Sequence, residues 1–168
     1  GGDTGGNGGF GGGGGAGTVN GLSGIGGGTP DNSGGNTFGG GGAGLGGAIF
    51  SRAGSVTFLG GISTSGSSVT AGSSGATIGA AAATDFFGVS NGTDGNTSLI
   101  FSPPVSTTTT LNGTIGDSSA TTLPDVGTYE PGSGAGLVLT HSGAGTTILV
   151  GTNTYIGATT ITAGTLSV

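Results

Sequence analysis

Residues 134–168, GAGLVLTHSGAGTTILVGTNTYIGATTITAGTLSV, constrain the fold more than any other stretch. Short apolar and Thr runs (LVLT, TTILV, TTIT, TLSV) alternate with turns that carry Gly. Each run is long enough for one β-strand and too short for a helix. One strand plus one turn, used repeatedly, is the sequence form of a solenoid in which each turn stacks on the one before. Composition points the same way. The chain has 168 residues and 47 Gly, and only 5% of its residues are charged. Gly costs about 1 kcal/mol at a helix interior position, so an α-helical protein is excluded. Short and β-branched side chains suit thin stacked sheets whose backbones approach closely.

The same stretch carries a family resemblance. Gly143-Ala144-Gly145-Thr146-Thr147-Ile148-Leu149-Val150 is followed by Asn153-Thr154-Tyr155-Ile156-Gly157-Ala158-Thr159-Thr160 and then by Ala163-Gly164-Thr165-Leu166-Ser167-Val168. This order of Gly-rich turn, short apolar strand, Asn-Thr-Tyr segment and closing Gly-Thr-Leu resembles the passenger-associated transport repeat of bacterial autotransporters. His141-Ser142 stands where the family often has Lys, and Ile156 where it usually has Thr or Ser. Upstream, residues 44–50 (GLGGAIF), Asp85-Phe86-Phe87 and Leu99-Ile100-Phe101-Ser102-Pro103 also resemble passenger segments. The resemblance implies a right-handed parallel β-helix, exported to the cell surface or beyond, with no catalytic residues.

Charge and composition exclude several functions. With a single Arg, no Lys and a net charge of -6, the chain lacks the basic surface that nucleic acid or an anionic membrane would need. No apolar run reaches the length of a membrane-spanning helix. The absence of Cys rules out disulfides and thiolate metal sites. The first residue is not Met, so the sequence reads as a processed or trimmed mature segment.

Residues 1–46 form a low-complexity tract, more than half of it Gly. It reads as a flexible tail, or as a tract ordered by packing. In the ordered form it is a bundle of extended polyglycine strands of polyproline II type, or it docks along a solenoid face or a neighbouring chain. Residues 47–168 read as the solenoid. Strands are expected at Ala48-Ile49-Phe50, Ser55 to Leu59, Ser68-Val69-Thr70, Ala76-Thr77-Ile78, Asp85 to Val89 and Thr97 to Phe101. One long strand is expected from Thr107 to Ile115. Residues 116–135 read as an exposed excursion.

Candidate chemistry is sparse. His141 is the single His, and its neighbour Ser142 does not make a hydrolytic triad; a turn-exposed His is expected. Asp85, Asp94, Asp117, Asp125 and Glu130 are dispersed and read as solvated turn residues rather than paired carboxylates. The opening Gly1 to Gly9 does not hold the phase of a calcium-binding β-roll, and no Lys is present for a phosphate loop. No enzyme activity, cofactor or metal is therefore expected. The chain stops on Gly164-Thr165-Leu166-Ser167-Val168, a strand with no cap or charged gatekeeper. These five residues are the expected self-association site, where copies meet end to end as a homopolymer. The alternative is an adhesin-type passenger that meets a host or neighbouring surface, or a surface glycan, through loops such as 116–135. A carbohydrate-active β-helix enzyme is the third reading.

Overall fold

The structure is a computed structural model, and it describes residues 3–9, 11–33, 37–91, 95–119 and 136–168. No α-helix occurs among them, and the regular elements are all strands. The chain divides into two compact units. One is drawn, among the described residues, from 3–45 and 69–82, the other from 46–68, 83–119 and 136–168.

In the second unit three sheets are built of parallel strands alone. The first sheet sets β10 (Ile115–Asp117) beside β5 (Phe86–Gly88), and β5 beside β2 (Ile49–Ser51). The second runs β13 (Thr159–Ile161), β11 (Val138–His141), β8 (Ser98–Phe101), β3 (Ser55–Phe58). The third runs β14 (Thr165–Ser167), β12 (Thr146–Leu149), β9 (Thr108–Leu111). The chain visits the sheets in a fixed order: β2 then β3; β5, β8, β9; β10, β11, β12; and finally β13 and β14. Two further contacts extend the order. Ser63 bridges Thr110 in the third sheet, and Thr154 donates its N–H to the Ile115 carbonyl in the first. A short antiparallel pair, β6 (Ser90–Asn91) with β7 (Gly95–Asn96), lies between β5 and β8.

Side chains alternate as the pleat requires. Leu99 and Phe101 in β8, Thr109 and Leu111 in β9, and Thr147 and Leu149 in β12 are buried, while their neighbours are partly exposed or exposed. Parallel register converts this alternation into columns of residues at equivalent strand positions. Val56, Leu99, Leu139 and Thr159 form one column, and Phe58, Phe101, His141 and Ile161 another. Phe86, Leu99, Phe101, Leu111, Ile115, Leu137, Leu139 and Leu149 make the core. Phe58 stacks on Phe101 at 5.3 Å between ring centres, and Phe50 on Phe87 at 5.9 Å. At the last turn Gly164 has φ 65°, and a Cβ there would run into the carbonyls of Gly143 and Gly145. Only Gly fits that turn.

Expected strand boundaries change in three places. The stretch Thr107 to Ile115 is two strands, because the chain turns between Leu111 and Ile115 and passes from the third sheet to the first. Ser68 to Thr70 and Ala76 to Ile78 form no strand. Residues 69–82 belong instead to the first unit, where Thr77 accepts the N–H of Gly41 and donates its own to Thr29. The first residues of the expected excursion are inside: Gly116 and Asp117 are in β10, and Gly116 to Ser119 are buried. Residues 120–135 lie outside the described residues.

The first unit has one strand pair, β1 (Gly44–Leu45) with β4 (Ala81–Ala82), parallel. The rest is held mainly by main-chain hydrogen bonds between Gly-rich segments, with side-chain links from Asn7, Asn20 and Asn32. Gly5 and Gly8 donate to Val19 and Leu22; Gly12, Gly15 and Thr18 donate to Gly9, Gly6 and Asp3; Gly40 and Ala43 donate to Gly14 and Gly11. Three residues separate successive donors in each set. At Gly5, Gly13, Gly21, Gly24, Gly28 and Gly40 a Cβ would overlap a main-chain carbonyl of another segment.

Two neighbouring glycines give a direct test. A Cβ on Gly40 would collide with the Gly28 carbonyl, whereas one on Gly39 would meet nothing closer than the Gly14 oxygen at 3.5 Å. Gly40→Ala is expected to lower unfolding free energy by about 1–3 kcal/mol. Gly39→Ala is expected to leave it within about 0.5 kcal/mol or raise it slightly. Denaturant titration of the two variants checks this, and equal losses would contradict the described packing.

Candidate functional site

The features with functional potential gather at one side of the second unit. Among the described residues, β13 and β14 each have a strand neighbour on one side only. All three residues of β13 are exposed, as are Thr165 and Ser167 of β14, while Leu166 packs against the core. Ile161 sits at the end of the Phe58–Phe101–His141 column, where its counterparts Phe101 and His141 are fully buried, yet it is 54% exposed. Val150, Ile156 and Val168 are exposed nearby in sequence. A cleft of about 490 Å³ is lined by Leu149, Val150, Asn153, Tyr155, Thr159 and Val168, among others. Of the five residues expected to associate, Thr165, Leu166 and Ser167 are β14, Gly164 makes the turn into it and Val168 follows it.

Buried polar groups tie these strands down. Asp117 is fully buried. Its Oδ2 accepts the N–H groups of Leu137 and Ile156, each at 2.9 Å, and its Oδ1 accepts that of Ser119 at 3.1 Å. One carboxylate thus joins β10, the approach to β11 and the segment leading to β13. Asn153 adds a similar link, its Oδ1 accepting the Ile115 N–H at 2.9 Å. Tyr155 and Thr159 share a hydroxyl hydrogen bond at 2.9 Å.

His141 is not at an exposed turn. It is fully buried in β11, at a core position of the strand. Nδ1 lies 2.8 Å from the Ala163 carbonyl, which can only accept, so Nδ1 is the donor. Nε2 has no partner. The ring is directed to a main-chain oxygen in the turn before β14 and not to a Ser hydroxyl, so no nucleophile is activated there.

The acidic residues are corrected likewise. Asp85 and Asp117 are 2% and 0% exposed, so neither is a solvated turn residue. Asp85 lies in the bend before β5 and Asp117 ends β10, and each accepts main-chain N–H groups. Asp85 Oδ2 accepts the Thr64 hydroxyl and, at 2.7 Å, the Gly113 N–H. Asp94, Asp125 and Glu130 lie outside the described residues. Among the described residues no group of three or more His, Cys, Asp or Glu could hold a metal ion, and no helix is long and apolar enough to cross a membrane.

Burial pushes the Asp117 carboxyl up, but the N–H groups of Ile156, Leu137 and Ser119 and the Ser119 hydroxyl outweigh it and hold the group below the usual carboxylate value. A depressed folded value means that ionised Asp117 contributes stability in full above about pH 4. That contribution is lost as pH falls through the depressed value. Asp117→Asn is expected to flatten this part of the acid-stability profile. At neutral pH it is expected to cost about 1–3 kcal/mol, because an amide NH₂ would face N–H donors. Chemical unfolding at a series of pH values from 2 to 7 checks both; an unchanged acid slope in the variant would remove Asp117 from this role.

Comparison with known proteins adds one match. The family model of the passenger-associated-transport-repeat matches residues 139–168. No curated protein and no solved structure matches the chain. The matched residues take in most of β11 and all of β12, β13 and β14, so they hold two neighbouring strand pairs, β11 with β13 and β12 with β14. This match falls on the stretch whose residues resemble the transport repeat of autotransporter passengers.

Proposed function

We propose that this chain is a non-catalytic part of an exported autotransporter passenger, a right-handed parallel β-solenoid whose copies add end to end to form a filament or surface stalk. The fixed order in which the chain visits three parallel sheets supports the solenoid. The transport repeat supports export to the cell surface or beyond. Within the repeat, partners are only 20 residues apart (Leu139 with Thr159) or 19 apart (Thr147 with Leu166). Earlier partners in the same sheets lie 40 apart (Leu99 with Leu139) and 38 apart (Thr109 with Thr147). The repeat is a rung without insertions. In the Gly-rich tract, the three-residue interval of hydrogen bonds supports a bundle of polyglycine chains with three residues per turn.

What supports self-association is the apolar surface at β13 and β14: among the described residues each pairs on one side, and Ile161 is exposed at the end of a core column. Such an edge takes a further strand in the manner of β-augmentation, from a second copy or from further rungs of a longer passenger. A contact between unlike ends does not close and gives an open filament. The absence of catalysis is supported by how the polar groups are used: His141 and Asp117 are committed to main-chain partners. The adhesin reading rested on the loop 116–135, most of which lies outside the described residues.

Ile161→Lys tests the reading, because Ile161 is exposed at the strand end and a charge there opposes edge pairing. The intact chain is expected to sediment as filaments visible by electron microscopy. The variant is expected to keep the same circular dichroism and remain monomeric. Filaments that persist in the variant, or an intact chain that stays monomeric at high concentration, would overturn it.

A further inference from the structure

The interior columns of the second unit have two ends, and the end opposite β13 and β14 is built by residues 55–64. In the second sheet β3 is the other outermost strand, with β8 as its strand neighbour on one side only among the described residues. In the third sheet the outermost segment is Ile62 to Thr64. Thr64 donates to the Thr110 carbonyl and Thr110 donates to that of Ile62, so Ser63 lies beside Thr110 and Ile62 beside Thr109.

Three columns therefore run from end to end. They are Val56, Leu99, Leu139, Thr159; Phe58, Phe101, His141, Ile161; and Ile62, Thr109, Thr147, Leu166. The middle members of all three are fully buried. The end members are not: Val56, Phe58, Ile62 and Leu166 are only partly buried against the core, and Thr159 and Ile161 are exposed. The third column is the informative one. Its enclosed members are Thr, and its large apolar members, Ile62 and Leu166, stand at the two ends. Residues 53–64 and 138–168 contain no Asp, Glu, Lys or Arg, the side chains that ordinarily keep sheet edges apart.

We infer that the β3 end receives the β13 and β14 end of a second copy of this chain, in the register that continues the columns. Val56 then lies beside Thr159, Phe58 beside Ile161 and Ile62 beside Leu166, each pair drawn from two copies. The inference rests on the end-to-end reading above and adds to it the receiving surface, the polarity and the register of the contact. Five of the six end residues are apolar, so their mutual burial is favourable. Two sheets must match at once, and a slip of one residue would turn Phe58 and Ile161 out of the interior. Further rungs of a longer passenger would cover β13 and β14 but not β3; a second copy covers both.

The chain has no Cys, so single introduced thiols report on the contact. Thr57 and Thr160 are exposed and end the outward column Thr57, Ile100, Thr140, Thr160, so substitution there leaves the core intact. In the joined register they sit on adjacent strands, about 4.8 Å apart, within the Cα range of about 4.4–6.8 Å that a disulfide spans. Thr57→Cys labelled with ¹⁵N is mixed with unlabelled Thr160→Cys, oxidised mildly and weighed by intact mass spectrometry. A mixed disulfide dimer is expected, well above the homodimers; Thr108→Cys, exposed on the third sheet, is expected to link to neither. A second measurement needs no thiol. Ile62→Lys and Ile161→Lys block opposite ends, so each alone is expected to be monomeric and their equimolar mixture to sediment as a dimer. Filaments of the intact chain without the mixed link, Thr160→Cys linked chiefly to itself, an equal yield with Thr108→Cys, or dimers of Ile62→Lys alone would overturn this inference and leave the end-to-end reading standing. An intact chain that stays monomeric would remove both.

Discussion

Parallel main-chain pairing in constant register is the constraint on which the second unit depends. Each strand is only two to four residues long, so no single pair is stable alone. Stacking solves this by repetition. Once Leu99 lies beside Leu139 and Phe101 beside His141, every side chain of the strand meets its neighbours above and below at one fixed register. Apolar columns then bury without long side chains, and a chain with seven Phe and no Trp or Met still closes a core. A shift of one residue would turn each column to the outside. The turns must therefore be set as firmly as the strands, which is where Gly164 and the carboxylates Asp85 and Asp117 act.

The first unit depends on the same main-chain chemistry with little pleated strand beyond β1 and β4. Its segments approach so closely that carbonyl groups occupy the space where side chains would begin. Hydrogen bonds replace apolar burial as the cohesive force. Each contributes about 1 kcal/mol net, against the large backbone entropy lost when Gly is ordered. Only a dense, repeated array offsets that loss, and the three-residue interval between donors is such an array.

Much of the second unit was legible in the residues because strand and turn repeat there without interruption. The runs LVLT, TTILV, TTIT and TLSV became β11, β12, β13 and β14. Legibility failed where tertiary placement outweighed local pattern. Thr107 to Ile115 alternates like one strand, but Asn112-Gly113 turns the chain toward another sheet. Ser68 to Thr70 and Ala76 to Ile78 have strand composition, yet Thr77 pairs with Thr29 and Gly41 of the Gly-rich tract. His141 and Asp117 look like surface residues because polar groups near turns usually are. Inside a stack their hydrogen-bonding groups meet main-chain N–H and C=O groups that no other part of the chain reaches.

The sequence by itself determined the class: β without helix among the described residues, strand and turn in alternation, and a match to the transport repeat at residues 139–168. These follow from propensity and local spacing, which are properties of neighbouring residues. Tertiary structure alone decided which strands lie beside one another, that residues 69–82 join the Gly-rich unit, and which polar groups are enclosed. Partners 19 to 43 residues apart are chosen by register and burial across the whole stack.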